Sequence, residues 1–302
     1  MQLRPEQEGE SPLILLIDGD IVAHRVAAAG QKQRYTLASD PMKIFDSHKE
    51  AVAYVKGYMP DALPPKEEVQ KAHIEVDDIE NVLSTFDIMI EKIQDACFAK
   101  YGENRPLRLY LVFTGCDEEQ NFREAMYPEY KANRHGVAKP AHLPAVIEYA
   151  KKHKRCLITQ GYEADDMLGR AGHDALKKFG SDATVVFVSY DKDVKQLPGN
   201  HYNFVKEEHS VVSEIEGYRL FFKQMLIGDT ADNVTGVKGI GEKTAAKLLD
   251  SVSDPEEMME VVKREYFSAG IPPATYNKNC DLLWIWRTVP DACPFVIETD
   301  HV

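Results

Sequence analysis

Four short segments of the chain put carboxylates where a buried strand ends or a helix begins. Leu13-Ile14-Leu15-Leu16-Ile17 runs into Asp18-Gly19-Asp20, and Glu163-Ala164-Asp165-Asp166 opens a helical pattern. Thr184 to Ser189 leads to Tyr190-Asp191-Lys192-Asp193, and Gly228-Asp229-Thr230-Ala231-Asp232-Asn233 precedes a glycine-rich turn. Taken singly, each acid has an ordinary structural role open to it. Asp20 is a candidate helix N-cap, the acids at 163–166 complement a helix dipole, and Asp229 with Asp232 suits a solvated face. Gathered at one end of a sheet, the same acids would repel one another unless positive charge stood between them. A pair of hard divalent cations supplies that charge and prefers oxygen ligands. In phosphodiester cleavage such ions acidify an attacking water and stabilise the leaving oxygen from sites ~4 Å apart.

Basic residues gather away from the acids. The net charge is −13, which argues against a simple electrostatic DNA coat. Yet from Lys131 to Arg155 seven Lys or Arg stand against one acid, Glu148, a local charge of +6. A solvated loop is the plain reading; a phosphate-contacting segment is the sharper one, with Tyr130 and His135 available to stack on bases. The stretch Gly236-Val237-Lys238-Gly239-Ile240-Gly241-Glu242-Lys243-Thr244 leads into an amphipathic helical pattern with no strand before it. A dinucleotide fingerprint is therefore poorly supported. Glycines let such a turn expose backbone N–H groups at a helix N-terminus, where phosphate binds, and Lys238, Lys243 and Lys247 add charge. The pattern predicts a helix–hairpin–helix that grips a DNA backbone without reading sequence.

The elements that must position these groups are legible as short apolar runs. Leu13 to Ile17, Leu107 to Phe113, Cys156 to Thr159, Thr184 to Ser189 and His201 to Val205 read as buried parallel strands. Helical patterns at Ile79 to Phe98 and Ala164 to Phe179 lie between them, so the expected fold class is α/β with a parallel sheet. Ligands in such sheets bind beyond the carboxyl ends of the strands, where the acidic motifs fall. Residues 31–71 have no clear period and read as an insertion or a helix-plus-loop connection. After about Tyr218 the pattern turns helical. The expected division is an α/β metal-carboxylate core over 1–217, with its basic arch at about 121–155, and a helical region over 218–302.

With 302 residues, 44% of them hydrophobic, the chain has enough apolar material for a real core. No apolar run approaches the roughly 20 residues of a membrane span, and the polar start MQLRPEQEGES resembles no signal peptide. A cytoplasmic protein with no membrane partner is expected. The five cysteines, Cys97, Cys116, Cys156, Cys280 and Cys293, have no C-x-x-C or histidine spacing and read as free thiols.

In order along the chain, IDGD at 17–20, NFREAMYPEYKANR at 121–134, EADD at 163–166, YDKD at 190–193 and GDTADNVTGVKGIGEKTAAKLL at 228–249 resemble the flap endonuclease, or 5′-nuclease, family. Stand-alone bacteriophage 5′→3′ exonucleases are nearest in length and organisation. The resemblance implies a PIN-like parallel-sheet core, a helical arch and a C-terminal helix–three-turn–helix. It implies two or more Mg²⁺ or Mn²⁺ ions on Asp18, Glu163, Asp165, Asp166, Asp191, Asp193, Asp229 and Asp232. Lys131 and Arg134 match the arch residues that position the scissile phosphate and stabilise developing charge. Gly236 to Leu249 matches the hairpin that usually holds K⁺ against a DNA phosphate, and Arg123, Tyr130, Lys131, Arg134, Gly236, Lys238, Gly239, Gly241, Lys243 and Thr244 are the implied DNA contacts. The implied partner is DNA with a 5′ end, flap or nick, or an RNA–DNA hybrid, met by a monomer. Family members often carry a further aspartate after the second strand. Here Cys116 falls at that place and Asp117 one residue on, which leaves Asp117 open between indirect participation and no role.

Other classes explain less. A haloacid-dehalogenase-like phosphatase accounts for Asp18-Gly19-Asp20 but leaves the basic arch and the glycine hairpin unexplained. A PIN-type ribonuclease normally lacks the hairpin, and a non-catalytic DNA-structure-binding protein has no need of a full set of acids.

Overall fold

The computed structural model describes residues 11–59, 64–102, 105–115, 120–134, 136–180, 182–287 and 292–297. In chain order the first elements are β1 (Leu13–Asp18), α1 (Gly19–Ala29), β2 (Gln31–Leu37), α2 (His48–Tyr58), α3 (Pro65–Glu68), β3 (Val69–Val76) and α4 (Ile79–Tyr101). There follow β4 (Leu107–Phe113), α5 (Phe122–Met126), α6 (Leu143–His153), β5 (Cys156–Ile158), α7 (Ala164–Phe179), β6 (Thr184–Val188), β7 (Gly199–Asn203) and β8 (Glu208–Val212). The last are α8 (Glu214–Ile227), β9 (Gly228–Asp229), β10 (Val234–Thr235), α9 (Glu242–Leu249), α10 (Pro255–Ser268) and α11 (Pro273–Leu283).

These elements fall into two compact units, one of Met1–Ile21, Lys92–Val137 and His153–Val302, the other of Val22–Glu91 and Ala138–Lys152. Both sides of the 217/218 line drawn from the sequence lie in the first unit.

That unit is built on a six-stranded sheet of order β5-β4-β1-β6-β7-β8. β1 pairs parallel with β4 on one side and β6 on the other, so all six of its residues are buried and its near-continuous apolar run is what a central strand requires. The chain leaves β1 for β4 and β5 on one side, then returns for β6 and β7 on the other. The reversal puts the carboxyl end of β1, and hence Asp18, at the crevice such sheets use for ligands. α7 covers this region with Ala164 and Leu168, packed with Ile14, Leu16, Val185 and Phe187. A second core forms among α8, α9, α10 and α11, from Phe221, Phe222, Met225, Ala245, Leu249, Met258, Val262, Tyr266 and Tyr276.

The five expected strands are present, and β7 begins two residues before the predicted run. β8, which closes the sheet antiparallel to β7, was not anticipated: Glu208 to Val212 mixes polar and apolar residues at an edge. In the second unit the stretch read as an insertion or a helix-plus-loop connection holds a helix, α2, and also an antiparallel ribbon, β2 with β3, that was not expected. Its residues are mostly polar on both faces, and only Leu37, Phe45, Ala51, Val55 and Val69 form a buried cluster, so neither face shows the alternation that marks a half-buried strand. Cys97, Cys280 and Cys293 are buried free thiols and Cys156 is a half-buried one, while Cys116 lies outside the described residues. Among the described residues no helix is long and apolar enough to cross a membrane.

Candidate functional site

The acids of all four segments meet beyond the carboxyl ends of β1 and β6. Asp18, 2% exposed, ends β1; its carboxylate accepts from the Ile21 N–H at 3.1 Å and from Ser189 Oγ at 3.1 Å. Burial pushes its pKa up to about 7, helped by Asp20 and Asp191 and opposed by those two hydrogen bonds. Asp165, on the first turn of α7, is raised well above the carboxylate range by burial and then by Asp18, Asp191 and Glu163. Ser189 Oγ also accepts from the Asp191 N–H at 3.0 Å, and Asp191 in turn accepts from the Asp193 N–H at 2.9 Å. Asp193 is pushed to about 7 by burial and by Asp191, Asp229 and Asp232, against the pull of Lys192.

The remaining acids are met by cations of the chain itself. Glu163 pairs with Lys131 and accepts from the Tyr130 hydroxyl at 2.9 Å; burial works against ionisation, but Lys131 and Arg123 outweigh it and hold this carboxyl low. Asp232 is bound by Arg134, lies 3.8 Å from the Lys131 ammonium, and accepts from Tyr130 at 3.2 Å. Asp229 accepts from the backbone of Ala231 at 2.7 Å and Asp232 at 3.3 Å, which folds its own loop around it. The segment 129–134 is strapped to that loop: Lys131 N–H donates to Asp232 O, Asn133 to Thr230 O, Arg134 to Ala231 O, and Asn233 back to Glu129 O. Lys131 and Asn233 both adopt left-handed backbone conformations (φ 55° and 60°) that set up these crossings.

The site therefore has two halves. Around Glu163 and Asp232 stand the protein cations Lys131, Arg123 and Arg134; the first two hold Glu163 low, while burial still raises Asp232. Around Asp18, Asp165 and Asp191 the carboxylates act chiefly on one another, and burial with this crowding raises Asp18 and Asp165 above the ordinary range. Hard oxygen donors, buried and short of positive charge, are the donor set that divalent cations suit. Among the described residues no group of three His, Cys, Asp or Glu side chains is already drawn together as a cation cage.

Three expectations change. Asp166 is completely buried, and its four lone-pair directions are taken by Arg123 (2.6 and 2.9 Å), the Glu163 N–H (3.2 Å) and the Trp286 N–H (3.0 Å). It is thus a structural anchor rather than a direct metal ligand. Arg123, 2% exposed and also bonded to Trp284 O at 2.7 Å, is not on a DNA-facing surface. Tyr130, 2% exposed in the α8–α11 core, cannot stack on a base; its hydroxyl bridges Glu163 and Asp232 instead. The sequence signals misled because a basic, aromatic stretch is equally what a buried ion-pair network looks like. Asp117 and His135 lie outside the described residues. Ser189, Gln196 and Gln224 were missed, although Gln224 is a polar residue set among the apolar residues of FFKQMLI and so carried a weak signal.

The glycine hairpin follows a minimal strand pair, β9 with β10, so a two-residue strand does precede it. Gly228 and Gly236 pack backbone to backbone: a Cβ on either would lie within 2.4 Å of the other's nitrogen. Gly239 turns the chain at φ 87° and Gly241 is the N-cap of α9. Lys238, Lys243, Thr244 and Lys247 are exposed, while Val237, Ala245 and Leu249 anchor the hairpin in the core. Of the residues in the basic segment, Lys131, Arg134, Lys154 and Arg155 belong to the first unit, and Lys139, Lys151 and Lys152 to the second.

A parallel α/β sheet with buried acids at its carboxyl end, followed by a helical glycine hairpin, defines a class of acid-site α/β proteins with a helical C-terminal region. Family models for the 5′-3′ exonuclease N-terminal resolvase-like domain and the 5′-3′ exonuclease C-terminal SAM fold match residues 85–225 and 220–276, together well over half of the chain. The chain belongs to the 5′-nuclease family. It is 33% identical over 206 residues to DNA polymerase I of Rhizobium leguminosarum, covering 61% of this chain and 19% of that protein. It is 30% identical to flap endonuclease Xni of Shewanella sp. strain ANA-3, covering 54% of this chain and 65% of that protein. The chain thus spans less than two thirds of the length of these relatives. The crystal structure of the T5 D15 protein co-crystallised with metal ions shares the fold, with a TM-score of 0.52 at 16% identity over 89% of this chain and 88% of that one.

Proposed function

We propose that this protein is a divalent-metal-dependent 5′→3′ exonuclease and flap endonuclease that hydrolyses DNA from 5′ ends to give 5′-phosphate products. The observation that carries this reading is the meeting of the buried Asp18 with the half-buried Asp165 and Asp191, where burial and neighbouring acids raise Asp18 and Asp165 above the carboxylate range. Mg²⁺ or Mn²⁺ held there, with Asp193 and Asp229 on the adjoining side, would polarise the scissile phosphate and acidify the attacking water. Lys131 and Arg134 stand at the boundary between the two halves, paired with Glu163 and Asp232. Arriving phosphate would draw these two cations off their carboxylates and onto its own oxygens, which orients the phosphodiester and stabilises charge as it develops. Freed in this way, Glu163 and Asp232 become further oxygen donors. The exposed Lys238, Lys243 and Thr244 on the hairpin suit the duplex backbone, and turn carbonyls there suit a K⁺ ion shared with a phosphate.

The co-crystals of the T5 D15 flap endonuclease with DNA and metal ions support this reading as those of a protein of the same fold. Removal of RNA primers, action as a monomer and an indirect role for Asp117 belong to the same proposal. The test is to compare end-labelled flap, gapped, blunt and RNA–DNA hybrid substrates with Mg²⁺ and after chelation. Loss of label from the 5′ end that needs the metal is the expected result. Shortening from the 3′ end, or full turnover without metal, would refute the reading.

A further inference from the structure

Behind Asp193 runs a chain of buried amides. Gln224 Nε2 donates to Asp193 Oδ1 at 2.7 Å, and Gln196 Nε2 donates to Gln224 Oε1 at 2.7 Å. Gln196 Nε2 also donates to Leu283 O at 2.7 Å, while its Oε1 accepts from the Ile285 N–H at 3.2 Å. The two side chains are 1% (Gln196) and 6% (Gln224) exposed. Their orientation follows from the backbone. An N–H can only donate, so Ile285 forces the oxygen of Gln196 toward it and the NH₂ toward Leu283 O and Gln224. Gln224 must then accept from Gln196 and present its own NH₂ to Asp193. A peptide group in the segment after α11 thus determines that a donor, not an acceptor, faces the acid.

The same segment is held in place at other points. Arg287 donates to Gln196 O at 2.8 Å, the Trp286 N–H donates to Asp166, and Arg123 donates to Trp284 O. Two glycines make room for the contacts: a Cβ on Gly169 would come within 2.0 Å of Trp286 O, and one on Gly217 within 2.3 Å of Gln196 O. Residues 283–287 lie beyond residue 276, where the matched family models end.

We infer that Leu283–Arg287 is a positioning strap for the acid site, and that Gln196 and Gln224 relay its backbone to Asp193. The inference rests on the proposed cation site for its consequence, but the relay itself exists without any ion. Gln224 and Gln196 are positioning residues: they touch neither substrate nor reacting atoms, and act by fixing one carboxylate oxygen of Asp193. Outer hydrogen-bond partners of this kind typically account for 10–100-fold in metal affinity.

Two measurements on the full chain test it. In the metal-free protein, the side-chain NH₂ protons of Gln224 and Gln196, followed by nuclear magnetic resonance, should exchange slowly with solvent, and both pairs should shift in the Asp193→Asn variant. Rapid exchange, or a shift confined to Gln224, would overturn the relay. Calorimetric titration with Ca²⁺ should then give an affinity about tenfold weaker for Gln224→Met and for Gln196→Met, with the double variant no weaker than Gln224→Met alone. Parent-like affinity in Gln224→Met, or additive losses in the double variant, would contradict the inference while leaving the proposed function standing. Coupled amides in a parent protein that binds none of Ca²⁺, Mg²⁺ and Mn²⁺ would uphold the relay and sink the proposed function instead.

Discussion

Arg123 and Asp166 face each other fork to fork, at 2.6 and 2.9 Å, with 3% and 0% of their side chains exposed. Removing one member of a buried pair leaves the other charge unmatched, which costs roughly 3–5 kcal/mol, whereas an exposed pair is worth about 0–1 kcal/mol. Arg123→Met should therefore lower the unfolding free energy by about that larger amount in denaturant titrations. A loss below about 1 kcal/mol would mean that Arg123 is a surface, DNA-facing residue after all.

The buried acids oppose folding in the metal-free protein. Asp18 titrates near 7 in the fold, above the ordinary carboxylate value. Its contribution is favourable below the unfolded pKa of about 4 and is lost as the pH rises through about 7. In chelator, Asp18→Asn should thus be more stable than the parent at pH 8, and the gap in Tm should shrink toward pH 5. The same variant should lose roughly 10²-fold or more in turnover. A gap in Tm that widens toward acid pH would show that Asp18 is not burdened by its neighbours.

Lys131 and Arg134 are paired with Glu163 and Asp232, and in the proposed function an arriving phosphate would displace them. Lys131→Ala or Arg134→Ala should cut kcat by about 10²-fold, on the scale of one lost charge stabiliser, with a smaller change in KM. A purely binding role would instead raise KM at unchanged kcat.

Lys238 and Lys243 are exposed on the hairpin, and neither side chain has an ion pair or hydrogen bond among the described residues. Lys243→Ala should weaken duplex binding about equally for unrelated sequences and reduce the salt slope by about 1. A sequence-dependent loss would mean that the hairpin reads bases.

Much of this architecture could be read from residue pattern, and the exceptions have physical reasons. The all-apolar run before Asp18 requires a central strand, and the acids needed only the parallel topology to bring them to one edge. The ribbon of β2 and β3 carried no such signal, because its side chains are polar on both faces. Arg123, Tyr130 and Asp166 were assigned outward roles since sequence gives residue type and not burial; Trp284 and Trp286, whose backbones bond Arg123 and Asp166, come from more than 110 residues away in the chain. The amide relay through Gln196 and Gln224 was invisible for the same reason, as its geometry depends on the backbone of Leu283 and Ile285.

Carboxylates at the ends of β1 and β6 that hold divalent cations for cleavage at DNA 5′ ends would make every turnover depend on the metal and on strand polarity. The most direct measurement uses one flap substrate labelled at the 5′ end and one labelled at the 3′ end, each incubated with the chelated protein before and after Mg²⁺ is restored. No cleavage is expected before addition. After it, the 5′ label should leave as a mononucleotide or short oligomer, and the 3′-labelled strand should shorten from its far end. Equal cleavage with and without Mg²⁺, or release of the 3′ label as the small product, would contradict it.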